Sequence, residues 1–169
     1  EAGIGYNKEQ EQQVQFIQYD AATGKTITNQ TVLNRLEGTI GTIWYENKVI
    51  FNNGSQIFAF STTAVPQQVW ATQLVAEVTA TATACGGYVY LPMMVQNSNY
   101  ELVGVNAATG EIATQTQVHS VTGTQFAYDS LQAPSCVADS NVAIAYYVGQ
   151  KWPQSDRSGQ YTIYGFNRD

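Results

Sequence analysis

The chain has 169 residues, 44% of them hydrophobic, which is enough for one domain with a substantial core. Only 12% are charged, against ~25% in an average soluble domain, and the net charge of −6 comes without any Lys/Arg cluster. That excludes the electrostatic footprint of a nucleic-acid or anionic-membrane binder, and no apolar run approaches the ~18 residues of a membrane span.

Residues 1–12 are polar and read as a tail or a lead-in strand, without the basic and apolar regions of a signal peptide, as at a mature start. Residues 13–33 then form a partial unit: a strand through Val14, Phe16, Ile17 and Tyr19, a turn Asp20-Ala21-Ala22-Thr23-Gly24-Lys25, and a Thr-rich strand. In that turn Asp20 can bond its own backbone two residues on, and Gly24 can take φ > 0 at no steric cost.

Residues 39–73 carry four strands in sequence, around Thr42–Tyr45, Val49–Phe51, Ile57–Phe60 and Val69–Thr72. Residues 76–118 repeat the order, with strands from Val78 to Ala84, Tyr88 to Leu91, Tyr100 to Val105 and Ile112 to Val118. Here Asn106-Ala107-Ala108-Thr109-Gly110-Glu111 copies the first turn. A partial unit over 133–169 contains Ser135–Ala138, Val142–Tyr147 and Tyr161–Asn167. Asp20, Ser61, Asn106 and Asn167 fall in one column, with two spacings in the ~40–50 residue range of propeller blades. No long stretch carries a 3.6-residue apolar stripe, so the reading is all-β: repeated four-stranded antiparallel units forming a partial or small β-propeller within one domain over 13–169. A β-sandwich is the alternative, but it does not require one turn to recur at the same place in each unit.

With those residues in view, the chain resembles the pyrroloquinoline-quinone-like β-propeller repeat family, whose blades carry a Leu-x-Ala-Leu-Asp-Ala-x-Thr-Gly-Lys-x-x-Trp segment. The matches are Gln18–Lys25 and Gly104–Glu111, with weaker copies at Ala59–Ser61 and Tyr164–Asn167. Trp70 alone stands at the family's docking-Trp position, since both of the best turns are followed by Thr or Ala where that Trp would be. The resemblance implies a propeller of ~4–8 blades, whereas two complete units flanked by two partial ones amount to an incomplete ring. Strand edges then need partners, supplied by ring closure, by a longer chain or by neighbouring subunits. The resemblance also implies a quinone site, but no residue here can be assigned to it, so cofactor-binding residues stay unknown and no cofactor is expected.

Little else points to chemistry. Ala22-Thr23-Gly24-Lys25-Thr26 echoes a phosphate loop, but Tyr19 stands where that motif needs Gly and strand residues follow. His119 is the single histidine, the acidic residues are scattered, and no serine sits in a nucleophile elbow. No catalytic residue and no metal site is expected, although Asp129, Asp139 and Asp156 stand where an incidental cation site could form. Asn29-Gln30-Thr31 and Asn53-Gly54-Ser55 are glycosylation sequons, which also arise by chance in a chain rich in Asn, Ser and Thr. Cys85 and Cys136 are either a disulfide, worth about 4–5 kcal/mol in the loop-entropy description, or two packed thiols. Tyr146, Tyr147, Trp152, Arg157 and Tyr161 surround a polar loop and form either a sugar- or protein-binding patch or ordinary blade packing.

The expected function is an exported, non-catalytic structural or adhesion module at the cell surface or outside the cell. It would associate with identical subunits, as in a filament completed by strand exchange, with glycans as further partners. The alternatives are a fragment of a quinone-dependent dehydrogenase propeller and a carbohydrate-binding module.

Overall fold

The computed structural model describes residues 13–35, 37, 41–63, 65–95, 99–120, 134–136, 142–148 and 162–167, the last two segments and 99–100, 118–120 and 135–136 as backbone only. Along them run β1 (Val14–Tyr19), β2 (Thr26–Leu33), β3 (Thr42–Tyr45), β4 (Lys48–Asn53), β5 (Gln56–Ser61), β6 (Gln68–Gln73), β7 (Thr83–Cys85), β8 (Tyr88–Val95), β9 (Asn99–Asn106), β10 (Ile112–Ser120), β11 (Ser135–Cys136), β12 (Val142–Val148) and β13 (Thr162–Asn167). No helix occurs among the described residues. The strands make four antiparallel sheets in chain order: β1-β2, β3-β4-β5-β6, β7-β8-β9-β10 and β11-β12-β13. The all-β, antiparallel expectation is met, in sheets of two to four strands.

Strand alternation explains how the sheets stack. In β4 and β5, Val49, Phe51, Phe58 and Phe60 point to one face and pack with Val14, Phe16, Val32 and Leu33 of the first sheet. Ile50, Ile57 and Ala59 point to the other face and join Val89, Leu91, Met93, Val103 and Val105 of the third sheet. The second sheet is therefore covered on both sides, which is why β4 and β5 are nearly continuous apolar runs rather than alternating ones. Phe51 stacks on both Phe58 and Phe60, with ring centroids 5.5 and 5.8 Å apart.

The second and third sheets stack strand on strand. The first strands β3 and β7 are neighbours, and Tyr45 at the end of β3 accepts from the Gly87 N–H at 2.9 Å, in the turn after β7. A buried pair at the end of β4 holds the link into the second sheet. Asn52 Oδ1 accepts from Gly41 N–H at 2.9 Å; Asn53 Oδ1 accepts from Glu37 N–H, and its Nδ2 donates to Arg35 O at 3.0 Å. Each satisfies backbone groups that would otherwise be stranded beside a core.

One strand departs from expectation. The run from Val78 to Ala84 is a strand only over Thr83–Cys85, preceded by an isolated bridge between Val78 and Met93. Pro92, in the middle of β8, is the cause: its carbonyl accepts from Thr79 N–H at 2.9 Å, so its polar side faces β7, where it has no N–H to give. The expected strand at Ser135–Ala138 is described as Ser135–Cys136.

Candidate functional site

The repeated turn is built twice to the same plan. In the first copy, Gly24 N–H donates to Asp20 O and Asp20 N–H to Lys25 O, both at 2.8 Å; in the second, Gly110 N–H donates to Asn106 O and Asn106 N–H to Glu111 O at the same distance. Asp20 Oδ1 accepts from the N–H groups of Ala22 and Thr23 at 2.9 and 2.8 Å, and Asn106 Oδ1 from those of Ala108 and Thr109 at 2.9 and 3.1 Å. Gly24 and Gly110 both adopt positive φ, 69° and 79°, as the short polar side chain and the glycine require. Donation from the Thr23 backbone, then its side chain, then the Ala22 backbone holds the Asp20 carboxyl below its ordinary value of 3.8.

The two copies differ in what touches them. The second turn lies on β6 of the preceding sheet: Trp70 Nε1–H donates to Ala107 O at 3.1 Å, and the Thr72 hydroxyl donates to Gly110 O. A Cβ on Gly110 would meet the Trp70 ring at 2.7 Å. At Gly24 nothing among the described residues lies within 4 Å of the same point. Strand pairing locates the docking position in the first three sheets, because Trp70 lies opposite Ala59, Thr114 opposite Gly104 and Thr28 opposite Gln18. Of these three, the second sheet alone has an indole there.

The first sheet leaves its far face uncovered. Ile17, Tyr19 and Ile27 are 41%, 58% and 52% exposed, whereas the corresponding face of the second sheet is the packed Phe51, Phe58 and Phe60 cluster. Trp44 is 68% exposed on β3. It pairs with Val49 and so lies on the face that the first sheet covers at β4 and β5. β1 pairs with β2 alone, leaving one edge without a strand among the described residues.

The sequence-predicted site residues are not brought together. Asn29 is exposed on β2 opposite Ile17. Asn53 is only 3% exposed, and its amide nitrogen is committed to Arg35 O. This geometry counts against Asn53 as a glycan carrier; the sequon there reflects a buried asparagine followed by a positive-φ glycine, Gly54. Cys85 is disulfide-bonded. It pairs with Tyr88, and beside it Thr83 donates its hydroxyl to Pro134 O, two residues before Cys136. The side chain of Cys136 lies outside the described ones, as do those of Tyr146 and Tyr147 in β12; Trp152, Arg157 and Tyr161 lie outside the described residues altogether, as do Asp129, Asp139 and Asp156. Among the described residues no group of three or more His, Cys, Asp or Glu could hold a metal. Sequence reasoning missed Trp44 and the Asn52–Asn53 clamp; a lone Trp in an edge strand and a polar pair closing an apolar strand are the signals that carried them.

No helix is long and apolar enough to cross a membrane among the described residues. No protein-family model matches the chain, and a comparison with curated proteins finds no match. Among solved structures the chain is similar to the crystal structure of the computationally designed Ika4 protein, with a TM-score of 0.50 and 11% identity over 89% of this chain and 78% of that one. At that identity the likeness concerns the fold alone.

Proposed function

We propose that this chain is an extracellular, non-catalytic structural or adhesion module that works by associating with copies of itself, on a β-propeller-like arrangement of its sheets. The observation behind the reading is the uncovered face of the first sheet. Ile17, Tyr19 and Ile27 form an apolar surface at the place where the second and third sheets bury their equivalents. A contiguous apolar patch beside an unpaired strand edge marks a site of association. Low charge and a Gln-, Thr- and Tyr-rich sequence suit an extracellular setting, and so does the disulfide at Cys85. Cys136, at the end of the neighbouring β11, is the partner we assign to it, which would tie the third sheet to the fourth.

Native mass measurement tests the reading. Species heavier than the 18.5 kDa monomer are expected, with the proportion rising with concentration. A monomer at every concentration would overturn it.

A further inference from the structure

Asn53 and Gly54 carry a chemical liability that their surroundings suppress. They are the single Asn-Gly pair in the sequence, and they close β4 at the turn that sets Asn53 opposite Gln56. With no Cβ on the glycine, little shields its backbone nitrogen from the side-chain carbonyl carbon of the residue before it. The fold commits the carboxamide elsewhere. Asn53 is 3% exposed, its Oδ1 accepts from the Glu37 N–H and its Nδ2 donates to Arg35 O at 3.0 Å, so both ends of the amide are fixed to the chain that enters the second sheet. Across the turn, Leu74 N–H donates to Ser55 O at 2.8 Å and Val78 N–H to Gly54 O at 3.3 Å, which fixes the chain that leaves that sheet. One turn therefore anchors both connections.

We infer that Asn53 is a self-modifying site, intact while this clamp is closed and converted to aspartate or isoaspartate when the clamp opens to water. In the open chain the Gly54 nitrogen loses its proton to hydroxide and attacks Cγ of Asn53. A bond forms between that nitrogen and Cγ, the bond from Cγ to Nδ2 breaks, and the nitrogen leaves as ammonia with a proton taken from water, which regenerates the hydroxide. Water then adds to either carbonyl of the cyclic imide and opens it, giving aspartate at one carbonyl and isoaspartate at the other. Water is the sole co-reactant, and no electrons are exchanged.

Either product holds the clamp open. Aspartate places a carboxylate oxygen where Nδ2 donated, so two acceptors meet at Arg35 O. Isoaspartate carries the main chain through the former side chain and lengthens it by a carbon where there is no room, because a Cβ on Gly54 would already lie 2.6 Å from Glu37 O. Opening at this turn is thereby made irreversible, and both connections of the second sheet are released with it.

The test holds the whole chain in mildly alkaline buffer with and without guanidinium chloride, and without reductant so that the disulfide persists. Peptide mass mapping and isoaspartate methylation follow the peptide that carries Asn53. Conversion is expected in the denaturant and should be about tenfold slower or more in the folded protein, where the reaction waits on opening of the clamp. Equal rates would overturn the protection, and unfolded chains that convert at other asparagines before Asn53 would overturn the site. Glu37→Pro removes the N–H that Asn53 Oδ1 accepts; in preparations whose circular dichroism matches the wild type, it should speed conversion several-fold, and an unchanged rate would overturn the clamp as the cause. Asn53→Asp supplies the acid directly. Its urea midpoint should fall below that of the wild type, and an unchanged midpoint would overturn the claim that conversion keeps the clamp open.

Discussion

Trp70 reaches from the second sheet to the third, its indole N–H donating to the Ala107 carbonyl at 3.1 Å while its ring closes over Gly110. This contact turns a hairpin loop into a joint between sheets. It also gives a ready comparison, because the chain contains the same loop without the indole.

Gly110→Ala should destabilise the protein by about 2–5 kcal/mol, since the added methyl group meets both an unfavourable positive φ and the Trp70 ring. Gly24→Ala meets the φ penalty alone, about 1–2 kcal/mol. Urea unfolding of the two variants checks the order, and equal losses would contradict the docking account.

Trp70→Ala removes a buried aromatic side chain at the joint and should cost about 3–5 kcal/mol. Trp70→Phe keeps most of the apolar contact but leaves the Ala107 carbonyl without its donor, for about 1–2 kcal/mol. Thermal unfolding monitored by circular dichroism would rank them.

The two turns should separate under acid. Hydrogen bonds hold the Asp20 carboxyl below 3.8, so its contribution is present above that pH and is lost as pH falls through the lowered folded value. Asn106 makes the same bonds and does not titrate. The amide resonances of Ala22 and Thr23 should therefore titrate with a midpoint below 3.8, while those of Ala108 and Thr109 stay flat. Asp20→Asn should abolish the difference.

Much of this arrangement was legible in the sequence because turn chemistry is local. Asp or Asn followed four residues later by Gly fixes the loop whatever packs on it, and β-branched and aromatic runs fix the strands beside it. The shortening of β7 was hidden because it depends on which neighbour Pro92 faces, a matter of pairing. The roles of Asn52 and Asn53 were hidden for a related reason: an asparagine at a strand end reads as a turn or a sequon until the linker it holds is in place. Sequence alone also could not tell that one copy of the turn is docked and the other open, since that is decided by a strand 38 residues away, where Thr72 meets Gly110.

Expressed in a glycosylating host, the chain should carry a glycan at Asn29 and none at Asn53, readable by mass analysis of peptides. Asn29 faces outward opposite Ile17, on the uncovered face of the first sheet through which association is proposed. The Asn29-glycosylated form should therefore stay monomeric, and Asn29→Gln should restore association.

Sedimentation velocity of the unglycosylated chain over a hundredfold range of concentration tests self-association most directly. A boundary moving from the 18.5 kDa monomer to heavier species as concentration rises is the predicted result. A monomer boundary unchanged across the whole range would contradict it.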